Sequence, residues 1–93
     1  MRILVIEDNK DIRELLKASL TAEMFAVDTV SDGERGSYTA RTNDYDLILL
    51  DNILPKKHGP EICKEIRQAG KSTPIIMMSV KSDIDEKSRS LNI

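Results

Sequence analysis

Cysteine, a surplus of basic charge and long apolar runs are all scarce in this 93-residue chain. A single cysteine, Cys63, excludes an internal disulfide framework and fits a reducing compartment. Fourteen Lys and Arg stand against sixteen Asp and Glu, a net charge of −2, which gives no basic stripe for nucleic acid. The first apolar run, Ile3 to Ile6, is far too short for a signal peptide or a membrane span. No internal repeat or low-complexity segment is present. What remains is one domain, with a core possible but little stability to spare. A soluble cytoplasmic protein without membrane contact is the expectation.

The stretch that organises the chain is Leu47-Ile48-Leu49-Leu50-Asp51. Apolar residues without polar alternation suit a strand buried on both faces of a parallel sheet. Its last residue is a carboxylate, at the end of the sheet where open α/β folds place their ligands. Arg2 to Ile6 reads as a second such strand, ending in Glu7-Asp8-Asn9, with Asn9 able to cap the helix that follows. Ile12, Leu15, Leu16 and Leu20 mark the inner face of that helix. Phe25, Val27 and Thr29 alternate with Ala26, Asp28 and Val30, predicting a more exposed strand.

After the Ser31-Asp32-Gly33 turn, a helix is expected over 34–42. Gly36, Ser37, Thr39 and Thr42 are poor helix formers, and only Tyr38 and Ala40 look inward. This helix should be the least stable element. The central strand spans 46–51. Pro60 opens a third helix at its first position, with Ile62, Cys63 and Ile66 inside and Ala69-Gly70 at its end. Pro74 introduces a fourth strand, Ile75 to Val80, with Ser79 near its end and Met77 and Met78 in the core. A last helical start follows, with Asp85 and Glu86 in its first turn. Lys56-Lys57-His58 reads as a solvated loop, and Cys63 as a small core residue.

The alternation β-α-β-α-β-α-β-α implies an α/β fold, a parallel sheet between two layers of helices. The most apolar strands belong in the middle and the second at an edge. The order is then 2-1-3-4, a flavodoxin-like three-layer sandwich. Strands one and three become neighbours, so Glu7, Asp8 and Asp51 converge. At ~4 Å and an effective dielectric near ~20, each pair of charges costs roughly 4 kcal/mol before screening. A divalent cation relieves this, and an all-oxygen donor set with room for water suits Mg²⁺. Ser79 would bring a hydroxyl to the same rim. The set suits a phosphoryl group placed on Asp51.

Taken in order, Ile3-Leu4-Val5-Ile6-Glu7-Asp8-Asn9, Ser31-Asp32-Gly33, Asp46 to Asp51 with Pro55 and Gly59, and Pro74 to Ser79 resemble a response-regulator receiver (CheY-like) domain of bacterial two-component systems. The segment 46–59 is most similar to receivers of the OmpR/PhoB-type winged-helix regulators. The resemblance implies that Asp51 accepts a phosphoryl group from a sensor histidine kinase and that Ser79 is the switch hydroxyl. It also implies that Glu7, Asp8, Asp51 and the backbone carbonyl of Ile53 hold Mg²⁺. DNA would be reached only through an output domain outside this chain.

The family continues with a fifth strand, a phosphate-contacting lysine, an aromatic switch residue and a fifth helix. None follows here, and Lys81 does not stand in the lysine's place. Residues 1–93 are thus expected to be a receiver domain incomplete at its C-terminus, forming a homodimer or a domain-swapped oligomer. Val80 after Ser79, where the family mostly has alanine or glycine, would narrow access to Asp51. Two other functions compete. An aspartyl phosphohydrolase would place an acid two residues after the nucleophile, where this chain has Ile53. A phosphorylation-independent interaction module, or an inactive receiver fragment that oligomerises, is the other. The receiver reading is of a signalling domain and not an enzyme.

Overall fold

In a computed structural model, residues 1–78 are described, and they form seven elements. These are β1 (Arg2–Ile6), α1 (Lys10–Ala22), β2 (Ala26–Val30), α2 (Gly33–Thr42), β3 (Leu47–Asp51), α3 (Gly59–Gln68) and β4 (Ile75–Met78). The four strands make one parallel sheet in the order β2-β1-β3-β4, as the sequence predicts. Ser79, Val80, Lys81 and the final helical start lie outside the described residues.

The strand patterns explain the layering. Leu4, Ile6, Ile48, Leu50, Ile75 and Met77 point to one face, where Ala40 of α2 and Ile62, Cys63 and Ile66 of α3 complete the main core. Leu54, from the loop after β3, joins that core at 4% exposure. Each fully buried Leu or Ile contributes about 1.5–3 kcal/mol relative to exposure. Ile3 and Val5 are buried on the opposite face, where α1 lies against β1 and β2.

Asn9 caps α1 as expected, its side chain accepting from the Ile12 N–H at 3.0 Å. Ile12, Leu16 and Leu20 are half-buried, but Leu15 is 65% exposed and not an inner residue. The seam follows the i, i+4, i+8 row, which leaves Leu15 on its flank.

Helix α2 differs more from expectation. Its buried residues are Gly33, Gly36, Ser37 and Ala40, whereas Tyr38 is 63% exposed. Small residues let this helix lie close to the sheet, and no room remains beneath it for a ring. A Cβ on Gly36 would stand 2.7 Å from Cγ2 of Ile6. The glycine that weakens the helix is what brings it against β1. Asp32 supplies the start, its carboxylate accepting from the Arg35 N–H at 2.8 Å. Pro60 occupies the second helical position, because α3 already begins at Gly59.

Candidate functional site

The register of β1 and β3 builds the site. Ile6 pairs with Leu50, so the residues that follow, Glu7 and Asp51, leave the sheet side by side. Carboxylate oxygens of Glu7, Asp8 and Asp51 all lie within 4.8 Å of one another. Glu7 and Asp51 are buried, at 0% and 1% exposure, and Asp8 is half-buried. The convergence predicted from strand order is thus present in full. Ile53 lies in the adjoining loop, and its N–H donates to Oδ1 of Asp51 at 3.3 Å.

Burial pushes the Glu7 carboxyl up to about 7, and the charge of Asp51 adds to the rise. The Asn9 N–H donates to Oε2 of Glu7 at 2.9 Å and works in the opposite direction. The other oxygen, Oε1, is buried with no hydrogen-bond donor among the described residues. A carboxylate oxygen left so, facing two further acids, fits an oxygen-ligand cation such as Mg²⁺.

Arg13 is a residue that the sequence reading missed. From the first turn of α1 its Nη1 donates to the backbone carbonyls of Glu7 and Asp8, at 3.0 and 3.3 Å. No motif distinguished it from any other solvent-facing cation of a helix. The loop after β3 is likewise better tied than a solvated loop would be. Lys57 is half-buried and pairs with Glu65 of α3 at 2.7 Å, and Glu65 also accepts from the buried hydroxyl of Ser37. The Gly33 N–H donates to the Pro55 carbonyl at 3.2 Å, and a Cβ on Gly33 would collide with the carbonyl oxygen of Lys57. Only Gly at this position lets the loop rest on the start of α2. Lys57 is therefore structural, which corrects its assignment to solvent; Lys56 and His58 are exposed, as expected. Burial pushes the Cys63 thiol up, in keeping with a core residue.

Residues 3–93 match the family model described as the response regulator receiver domain. The chain is 42% identical over its whole length to the transcriptional regulatory protein DltR of Streptococcus agalactiae and spans 42% of that protein. The fold is similar to that of the response regulator protein TrrA of Thermotoga maritima in complex with Mg²⁺ and BeF. There the TM-score is 0.80 and the identity 40%, over 87% of this chain and 70% of that one. TrrA in complex with the histidine kinase ThkA superposes with a TM-score of 0.78 at 39% identity, over 88% of this chain and 71% of the other.

Proposed function

Because the chain belongs to the response-regulator receiver family, we propose that it is a phosphoacceptor whose Asp51 takes a phosphoryl group from the phosphohistidine of a sensor histidine kinase. The observation that carries this reading is the gathering of Glu7, Asp8 and Asp51 at the carboxyl ends of β1 and β3. A carboxylate oxygen of Asp51 attacks phosphorus, the phosphorus–nitrogen bond breaks, and its electron pair leaves with the kinase imidazole. The product is an acyl phosphate on Asp51, so this residue is modified and not regenerated as a turnover centre would be.

Glu7, Asp8, Asp51 and the backbone carbonyl of Ile53 would hold Mg²⁺. The ion supplies positive charge against the phosphoryl oxygens. Burial of Glu7 and Asp51 keeps water from the acceptor. Ser79 is assigned as the switch hydroxyl that bonds a phosphoryl oxygen. Support for the metal and for the kinase comes from TrrA, solved with Mg²⁺ and BeF and with the histidine kinase ThkA. Phosphorylation would shift a conformational equilibrium read by an output domain beyond these residues, in a cytoplasmic regulator of transcription. A homodimer or domain-swapped oligomer belongs to the same reading, since β4 borders the sheet among the described residues with Ile76 39% exposed.

The test is covalent. Incubation with a small acyl-phosphate donor and Mg²⁺ should add one phosphoryl mass, chelation of the metal should prevent it, and Asp51→Asn should abolish it. Equal uptake by the Asn variant would refute the assignment.

A further inference from the structure

Arg13 stands where helix electrostatics disfavour it. It lies in the first turn of α1, beside the positive end of the helix dipole, where an acid such as Asp11 is the favourable choice. A cation there loses some helix stability, and among the described residues Arg13 forms no salt bridge. Its donors go instead to two successive backbone carbonyls, those of Glu7 and Asp8, at 3.0 and 3.3 Å. Side chains on a helix lean toward its N-terminus, so an arginine at this position reaches back over the preceding loop. The same short loop is held from the other side by the Asn9 N–H on Oε2 of Glu7 and by the Glu7 N–H on the Val30 carbonyl, at 2.9 and 3.1 Å.

We propose that Arg13 is a positioning residue of the cation site, fixing the Glu7 and Asp8 peptide planes so that both carboxylates meet Asp51. This rests on the metal reading given above. Drawing two carbonyls onto one guanidinium nitrogen sets the rotation of both peptide planes, and with it the direction of each Cα–Cβ bond. Burial of Glu7 leaves its carboxylate few alternative positions once that plane is set. Without the guanidinium the loop gains freedom, and the acids, which repel one another, have a reason to use it. Groups that orient metal ligands typically alter affinity by about 10–100-fold when removed.

The experiment titrates Mn²⁺, as a spin-active probe, into the chain and its Arg13→Met and Arg13→Lys variants, with thermal unfolding of each metal-free form alongside. Methionine keeps a long stem without donors; lysine restores a donor cation. The expected result is a Kd for Mn²⁺ raised about tenfold in Arg13→Met and partly recovered in Arg13→Lys, with a metal-free midpoint close to that of the parent. The Mg²⁺ concentration giving half-maximal phosphorylation from the acyl-phosphate donor should rise in step, while the rate at saturating Mg²⁺ returns to the parent's. An unchanged Kd in Arg13→Met overturns the proposal. So does a lower saturated rate with an unshifted half-maximal concentration. If Arg13→Met fails to fold, Arg13→Lys decides alone: a modestly weakened Kd in a stable variant supports positioning, and a Kd equal to the parent's opposes it. Absence of Mn²⁺ binding by the parent removes the metal reading and this inference together, whereas binding that Arg13→Met leaves intact removes only the inference.

Discussion

The two ends of the sheet handle acidic residues in opposite ways. Toward the amino end Asp28 and Asp44 each accept from a donor side chain. Arg2 pairs with Asp28 at 3.0 Å, Tyr45 donates its hydroxyl to the same oxygen at 2.6 Å, and Lys71 pairs with Asp44 at 2.7 Å. The Arg2 guanidinium also lies 4.8 Å above the Tyr45 ring. Hydrogen bonding from Tyr45, then from Arg2, holds the Asp28 carboxyl below the usual range, and Lys71 does the same for Asp44. At the carboxyl end Glu7, Asp8 and Asp51 crowd together and Glu7 rises to about 7. One arrangement stabilises the chain as it stands. The other crowds like charges that the proposed cation would relieve.

The sharpest break of this contrast is Glu7→Gln. A carboxyl raised in the fold binds more protons folded than unfolded between its ordinary value of 4.5 and about 7. Stability of the metal-free chain therefore falls as pH rises through that window. At pH near ~8, replacing the charge with an amide should stabilise the metal-free chain by on the order of 2–3 kcal/mol. With Mg²⁺ present the gap should narrow, because the parent, with all three carboxylates, gains more from binding than the variant with two. Urea unfolding at two pH values, with and without Mg²⁺, checks both effects. A Gln variant less stable than its parent at high pH without metal would show that the acids at this end are structural after all.

The acid cluster was readable before the structure because three apolar runs dictate the strand order, and the order brings Glu7 and Asp8 next to Asp51. Asn9, Ile62, Cys63 and Ile66 were readable from capping and helical spacing. The misreadings share a cause. Tyr38 looked inward because it is the largest residue on a weak helix, but Gly36 and Ser37 draw that helix down to Ile6 and leave space only for small side chains. Lys57 looked solvated because its partner Glu65 lies on the next helix, and the Ser37 hydroxyl that braces Glu65 comes from another helix again. Arg13 left no trace in any pattern, since its partners are backbone carbonyls, which no residue letter encodes.

A smaller effect of opposite sign belongs to the amino end. Asp28→Ala removes the acceptor of the Tyr45 hydroxyl, and Tyr45 is buried at 9% exposure. The Arg2 pair is about half exposed and adds little by itself. A loss of about 1 kcal/mol is expected, mostly from the phenol left without its acceptor. The depressed Asp28 carboxyl contributes stability that is present above its unfolded value and is lost as pH falls through the folded one. The parent and the Ala variant should therefore converge in acid. A gap that widens below pH ~4 would mean that Asp28 does not act through its charge.

Lys71→Ala should have the smallest effect, and it tests whether a good distance alone makes an ion pair matter. The bond to Asp44 is short, but Asp44 is 96% exposed at its side chain, so water offers that carboxylate nearly as good a partner. Holding a lysine in one rotamer also costs entropy that an exposed pair hardly offsets. The position keeps its backbone ties, because the Lys71 carbonyl accepts from Arg67 at 3.0 Å and the Lys71 N–H donates to the Ile66 carbonyl at 3.3 Å. The urea midpoint should stay within experimental scatter of the parent's, in low salt and in high salt alike. A clear drop confined to low salt would give the Lys71–Asp44 pair real weight. The amino end would then be held by charge throughout, and not chiefly by the buried phenol of Tyr45.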